Sequence, residues 1–245
     1  MSNQGDHNKH RERMRAKFIE SENLDIFADH EILEILLFNT ITRQNTNNLA
    51  HRILNEFGSL HNVFDADISE IRKRTGLSEA SAFHLSIMSH IVRRYNLSKW
   101  KKRIRFKNTR VLGEYVRVLF SAEKVEALYV ICLDNRGALI RAVPLRQGII
   151  THVELYPREV ASCAISNSAS SIVICHNHPS GDVLPSRTDI STTTTLRNLL
   201  AGLNITLVDH IIIGHDKYFS FADRDMLHLP GIKRMIEDSA SKRLI

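Results

Sequence analysis

The run His176-Asn177-His178-Pro179-Ser180-Gly181-Asp182-Val183-Leu184-Pro185-Ser186-Arg187-Thr188-Asp189 constrains this chain more than any other segment. It follows Ser171-Ile172-Val173-Ile174-Cys175, a short apolar run of the kind that forms a strand covered on both faces. His176 and His178 are two apart, so in extended backbone both imidazoles project to the same side. Pro179-Ser180-Gly181 turns the chain. Ser186-x-x-Asp189 then has the form of a capping box at a helix start. A path from strand end through turn to helix start can return Asp189 towards the two imidazoles. Two histidines and one aspartate are the donor set of a catalytic zinc site with a water in the fourth position. With an open position and no soft ligands, zinc is favoured over iron or copper.

These residues resemble a known family. His-x-His, seven residues, Ser, two residues, Asp is the spacing of the JAMM (MPN/JAB) metallopeptidases, and His-Asn-His-Pro-Ser-Gly-Asp is its form in RadC-like proteins. Arg11-Glu12-Arg13, Phe27-Ala28-Asp29-His30-Glu31-Ile32-Leu33-Glu34, Phe57-Gly58-Ser59-Leu60, Tyr156-Pro157-Arg158-Glu159-Val160 and Asp209-His210-Ile211-Ile212-Ile213-Gly214 resemble further landmarks of that family, so the likeness covers roughly residues 10–225. It implies a mixed-sheet α/β domain of JAMM/MPN type, akin to the cytidine-deaminase-like architecture, behind a small all-α module with a helix-hairpin-helix-like turn. It also implies that His176, His178 and Asp189 hold zinc and that Ser186 stabilises an oxyanion. A glutamate at the start of the strand beside the histidine strand handles protons. Glu126, opening Glu126-Ala127-Leu128-Tyr129, matches that position, and Glu159 competes with it. Ser186 as a helix N-cap and Asp189 as a carboxylate at a helix dipole are ordinary roles that can coexist with the catalytic ones.

Composition sets limits on the rest. A chain of 245 residues with 43% apolar residues holds one large domain or two modest ones. No apolar run approaches membrane-spanning length and the first ten residues lack a secretory core, so a cytoplasmic protein is expected. Cys132, Cys163 and Cys175 are too scattered for a disulfide framework and read as buried thiols in a reducing compartment. The net charge of +6 permits an anionic partner. Part of it lies in Lys99-Trp100-Lys101-Lys102-Arg103-Ile104-Arg105, either a solvated linker or a phosphate-tracking patch with a stacking aromatic.

That run marks the expected boundary: a helical module over 1–98, a linker over 99–108, the metal-binding domain over 109–228 and an extension over 229–245. In the first half Asp29 is expected to cap a helix through Phe38, Thr42 one through about Phe57, and Asp67 a third. Ser78 opens a long helix to about Arg94. In the second half Val125–Leu133 and Ala138–Leu145 read as a hairpin about Asp134-Asn135-Arg136-Gly137. Pro157 begins a helix to about Asn167, and Ser186 one to about Ala201. Ile205–Val208, Ile211–Ile213 and Lys217–Phe221 supply further strand material. Ser191-Thr192-Thr193-Thr194-Thr195 has poor helix propensity, so packing must sustain it. His210 reads as a satisfied, partly buried histidine, and His152 and His215 carry no spacing signal.

The expected activity is zinc-dependent hydrolysis of a peptide or isopeptide bond in a peptide or protein substrate, with no membrane partner. No His-Glu-x-x-His, Pro-Cys-x-x-Cys or phosphate-binding glycine loop is present. Two other readings remain: a nucleic-acid-binding, repair-associated protein with an accessory metal domain, and a metal-dependent nuclease. The hairpin Thr75-Gly76-Leu77-Ser78-Glu79 carries serine at the second glycine position and a carboxylate where phosphate would approach, which counts against the former. The nuclease reading lacks the carboxylate-rich pair of two-metal chemistry.

Overall fold

The structure, a computed structural model, describes residues 4–42, 44–100, 104–147, 157–215 and 217–227. The cluster Lys101-Lys102-Arg103, His152, Tyr156 and the 229–245 extension lie outside the described residues. The chain forms two compact units, residues 1–94 and 95–245. Among the described residues no helix is long and apolar enough to cross a membrane.

The first unit is helical: α1 (Gln4–Ser21), α2 (Asp29–Leu37), α3 (Thr46–Phe57), α4 (Leu60–Asp65), α5 (Ile68–Thr75) and the start of α6 (Glu79–Ser98). Its core is Leu33, Leu37, Ile53, Val63, Ile71 and Leu85, all fully buried. Two helix starts differ from expectation. Ala28 rather than Asp29 is the N-cap of α2, because Glu31 reaches back to accept from the Ala28 N–H at 2.9 Å. Asn45 rather than Thr42 starts α3, its side chain accepting from Asn47 N–H at 2.8 Å. Helix α4 escaped the periodicity because it is six residues long, punctuated by Gly58 at φ +78° and the N-cap Ser59. The Arg11 guanidinium donates to the Phe38 and Ile41 carbonyls and so satisfies the end of α2. Gly76, at φ +71°, terminates α5, and Ser78 accepts from Ser81 N–H at 3.2 Å. The hairpin glycine is therefore a helix stop and its serine the next cap.

The second unit has three layers. Five strands, β1 (Ala127–Leu133), β2 (Leu139–Gln147), β3 (Ser171–Asn177), β4 (Thr206–Ile213) and β5 (Tyr218–Ser220), lie in the order β2-β1-β3-β4-β5. The sheet is mixed: β3 and β4 run parallel, and the other three pairs are antiparallel. Helix α7 (Thr109–Phe120), which the sequence reading did not identify, covers one face through Leu112, Tyr115, Val116, Leu119 and Phe120, packed on Tyr129, Ile131, Val173 and Cys175. Helices α8 (Pro157–Ser166) and α9 (Arg187–Gly202) cover the other through Val160, Ala164, Leu196 and Leu200, packed on Val130, Ile172, Ile174 and Ile212. Odd residues of β1 and β3 face α7 and even ones face α8 and α9, as the two-residue period of a strand requires. With both faces covered, β1 and β3 are buried at every position. The two segments expected around Asp209 are one strand, with an irregularity where Ile172 and Val173 pair with Leu207 and Asp209. Cys132 and Cys175 are buried and Cys163 half-buried, and burial pushes the Cys132 thiol up to about 12.

Asp209 is the one fully buried carboxylate of this sheet's core positions. Burial pushes its carboxyl up to about 7, against three donors that favour the charged form: Ser220 Oγ–H at 2.6 Å, Ala222 N–H at 3.0 Å and His210 N–H at 2.7 Å. Because the folded value exceeds the unfolded one of 3.8, its contribution to stability is complete below that value and is lost as pH rises to about 7. Asp209→Asn keeps the shape and an acceptor for both backbone donors. Urea unfolding should therefore show a flatter loss of stability between these pH values in the variant, by on the order of a few kcal/mol. An identical pH slope in both proteins would contradict this.

Candidate metal centre

The site forms where β3 leaves the sheet. His176, an even residue of β3, faces α9, and His178 continues the same alternation one step past the strand end. His178 is anchored by its backbone N–H, which donates to the Ile213 carbonyl at 2.8 Å. The turn that follows closes with Gly181 N–H on the His178 carbonyl at 2.9 Å and brings the Asp182 carbonyl within 2.6 Å of His178 Nδ1. A carbonyl only accepts, so the proton of a neutral His178 sits on Nδ1 and its Nε2 is a bare donor atom. That Nε2 lies 3.0 Å from Nε2 of His176. His176 is 3% exposed, and burial pushes its imidazolium down to about 4, with Asp189 opposing and His178 reinforcing the shift. It is therefore neutral at pH 7, the state a metal ligand needs.

Asp189 divides its carboxylate between two tasks. Oδ2 accepts from the Ser186 N–H and Oγ–H, each at 2.7 Å, while Ser186 Oγ accepts from Asp189 N–H at 3.1 Å. This reciprocal cap starts α9 and fixes the rotamer that points Oδ1 at His176 Nε2, 3.5 Å away. Nitrogen and oxygen donors at ~2.0–2.1 Å around a tetrahedral centre lie about 3.3 Å apart. The separations of 3.0 and 3.5 Å from His176 straddle that value, so each pair fits a small divalent cation, but Asp189 approaches His176 alone and is not in the group that the two imidazoles form.

Among the described residues, Glu126 rather than Asp189 is the carboxylate brought close to both imidazoles. It immediately precedes β1, which pairs antiparallel with β3 so that Leu128 faces His176. Continuing that register sets Glu126 beside His178, and Glu126, His176 and His178 each offer an atom within 4.8 Å of the others. Glu159 sits exposed near the start of α8 and does not belong to this group. What holds Glu126 there is Asn177, which the sequence reading left without a role. Asn177 lies on the opposite face of β3 and is 7% exposed. Its Oδ1 accepts from Ala127 N–H at 2.8 Å and its Nδ2 donates to the Val125 carbonyl at 3.0 Å. One carboxamide thus grips the backbone on both sides of the glutamate.

His210 is satisfied as expected but fully rather than partly buried, and it is not separate from the site. Its Nε2 lies 2.9 Å from His176 Nδ1, its Nδ1 lies 2.6 Å from Thr193 Oγ1, and its ring stacks on Phe221 at 4.6 Å. Burial, then His176 and His178, push its imidazolium well below the ordinary range. No spacing rule could have found it, because the parallel pairing of β3 with β4 brings Ile174 opposite His210, 36 positions further along the sequence.

Gly214 lies against the turn that follows His178. A β-carbon there would meet the Gly181 carbonyl oxygen and come within 2.8 Å of Val183 Cγ1. Gly214→Ala must therefore displace the turn whose Asp182 carbonyl orients His178. Metal affinity measured by chelator competition should fall about 10–100-fold, the usual cost of losing an outer hydrogen bond to a ligand histidine. Unchanged affinity would show that the turn does not set the ligand.

The three-layer sheet, the capped helix and the converging imidazoles define a JAB-type α/β domain with a candidate metal site. The family model described as the RadC-like JAB domain matches residues 106–226. A UPF0758 protein of Fusobacterium nucleatum is 34% identical over 229 residues, which cover 91% of this chain and 98% of that protein. UPF0758 proteins of Ruegeria pomeroyi and Rhodobacter capsulatus are 34% and 32% identical, over 86% and 87% of this chain and 94% and 100% of their own lengths. The chain belongs to the RadC-like family of JAB-domain proteins.

Proposed function

We propose that the protein is a zinc-dependent hydrolase that cleaves a peptide or isopeptide bond in a peptide or protein substrate. The observation that carries this reading is the convergence of Glu126 on the two imidazoles, because it joins a metal-ligand pair to a carboxylate base. His176, His178 and Asp189 would hold the ion. Zinc so held lowers the pKa of a bound water and polarises the scissile carbonyl. Glu126, half-buried beside both imidazoles, accepts the proton of the attacking water and returns it to the departing nitrogen. Ser186 first holds the ligand carboxylate; turned away from Oδ2, its hydroxyl becomes a donor to the oxyanion. Asn177 keeps Glu126 in place.

The test is cleavage of matched peptides with α-linked and Lys ε-linked bonds by the zinc-loaded chain, read as released amine. Turnover on at least one bond type, abolished by a chelator and restored by zinc, is expected. Chelator-insensitive turnover, or none on either bond type at full zinc loading, contradicts the reading.

A further inference from the structure

We propose that His210, backed by Thr193, is the positioning residue that fixes His176 as an Nε2 donor and leaves the imidazole pair unable to satisfy itself without a cation. The inference rests on the metal-centre reading and goes beyond it to an element that no ligand motif contains. Thr193 Oγ1 lies 2.5 Å from the Asp189 carbonyl, one helical turn back in α9. A carbonyl cannot donate, so the threonine proton occupies that bond and the oxygen faces His210 as an acceptor. His210 therefore donates from Nδ1 across 2.6 Å. A neutral imidazole carries one ring proton, so His210 Nε2 is bare and must accept. The proton between the rings then belongs to His176 Nδ1, 2.9 Å away.

The consequence lies on the far side of the His176 ring. Had its proton been on Nε2, His176 could donate to His178 across their 3.0 Å separation and the pair would be satisfied as it stands. The relay removes that option. His178 is bare at Nε2 because Asp182 takes its Nδ1 proton, and His176 is bare at Nε2 because His210 takes its own. Two lone pairs then face each other across 3.0 Å with no hydrogen between them, and the Asp189 oxygen lies 3.5 Å from that of His176, an arrangement that a cation relieves. Thr193 serves twice, since the same hydroxyl ties the relay to the backbone of Asp189. This also accounts for a threonine in a helix of poor propensity: its side chain is 3% exposed and committed at both ends.

The experiment uses the full chain, labelled with ¹⁵N at histidine, and zinc as the probe. Long-range histidine ¹H–¹⁵N spectra of the metal-free protein should show the His176 proton on Nδ1. His210→Phe keeps the stack on Phe221 but offers no acceptor, and Thr193→Val is isosteric without the hydroxyl. Both should weaken zinc binding, about 10–100-fold for His210→Phe, with metal-free thermal midpoints near that of the wild type. His210→Gln, which returns an acceptor near the Nε2 position, should recover much of the loss. A His176 proton on Nε2 in the wild type overturns the proposal. So does unchanged zinc affinity in Thr193→Val and His210→Phe, or equal losses in the Phe and Gln variants. If the wild type binds no zinc, the metal-centre reading fails, while the ring-proton position still decides the relay.

Discussion

Glu126→Gln is expected to lower turnover by about 10²–10⁴-fold, the range removed with a positioned acid–base group, and to leave zinc stoichiometry near that of the wild type. Glutamine keeps the shape and accepts hydrogen bonds but cannot take a proton at neutral pH. The backbone of the site should not move, because Asn177 grips main-chain atoms of Val125 and Ala127 and not the Glu126 side chain. Turnover and zinc content separate the two roles that Glu126 could fill beside His176 and His178. Loss of both together would make it a ligand; loss of turnover alone makes it the base. Glu159→Gln supplies the comparison, since Glu159 lies on α8 outside the cluster and its substitution should leave turnover unchanged. A large loss there with none at Glu126 would reverse the assignment.

The second large effect is expected at Asn177. Asn177→Ala leaves the Ala127 N–H and Val125 carbonyl without the carboxamide that satisfies them, at a cost of roughly 1–3 kcal/mol for each buried group that finds no water. Its catalytic consequence is separate. Releasing the chain on both sides of Glu126 loosens the base, and a displacement near 1 Å can cost about 10²-fold in rate. We expect kcat to fall by about that factor while KM and zinc affinity stay close to wild type, because Asn177 faces away from His176 and His178. Both parameters are read from steady-state kinetics at saturating zinc. A rise in KM with kcat unchanged would place Asn177 in substrate binding instead.

Much of the site was legible because its residues lie close in sequence. His176 and His178 share a face by strand geometry alone, and the Ser186–Asp189 cap announces the helix that returns the carboxylate. Contributions from other strands and helices were hidden. Asn177 gains its role from an antiparallel neighbour 50 residues upstream, and His210 from a parallel neighbour 34 residues upstream. Neither distance leaves a periodic trace. The threonine run of α9 read as a weak helix, and the structure shows what sustains it. Leu196 and Leu200 are fully buried in the core beneath the sheet, and Thr193 is held by Asp189 and His210. Helix α7, capped by Asn108 through Val111 N–H at 3.0 Å, carries Gly113 in its interior, which weakens its helical signature in the sequence. In the helical unit the landmarks proved to be punctuation: Gly58 and Ser59 stop one helix and start the next, and Arg11 satisfies the carbonyls at the end of α2.

The central claim is that these side chains form a metal centre, and zinc content tests it most directly. The full chain and its His176→Ala/His178→Ala variant are loaded with zinc, dialysed exhaustively and assayed for metal per chain alongside a folding check by circular dichroism. About one zinc per chain in the wild type and none in the folded variant is the result expected. Equal zinc in both proteins would contradict the assignment.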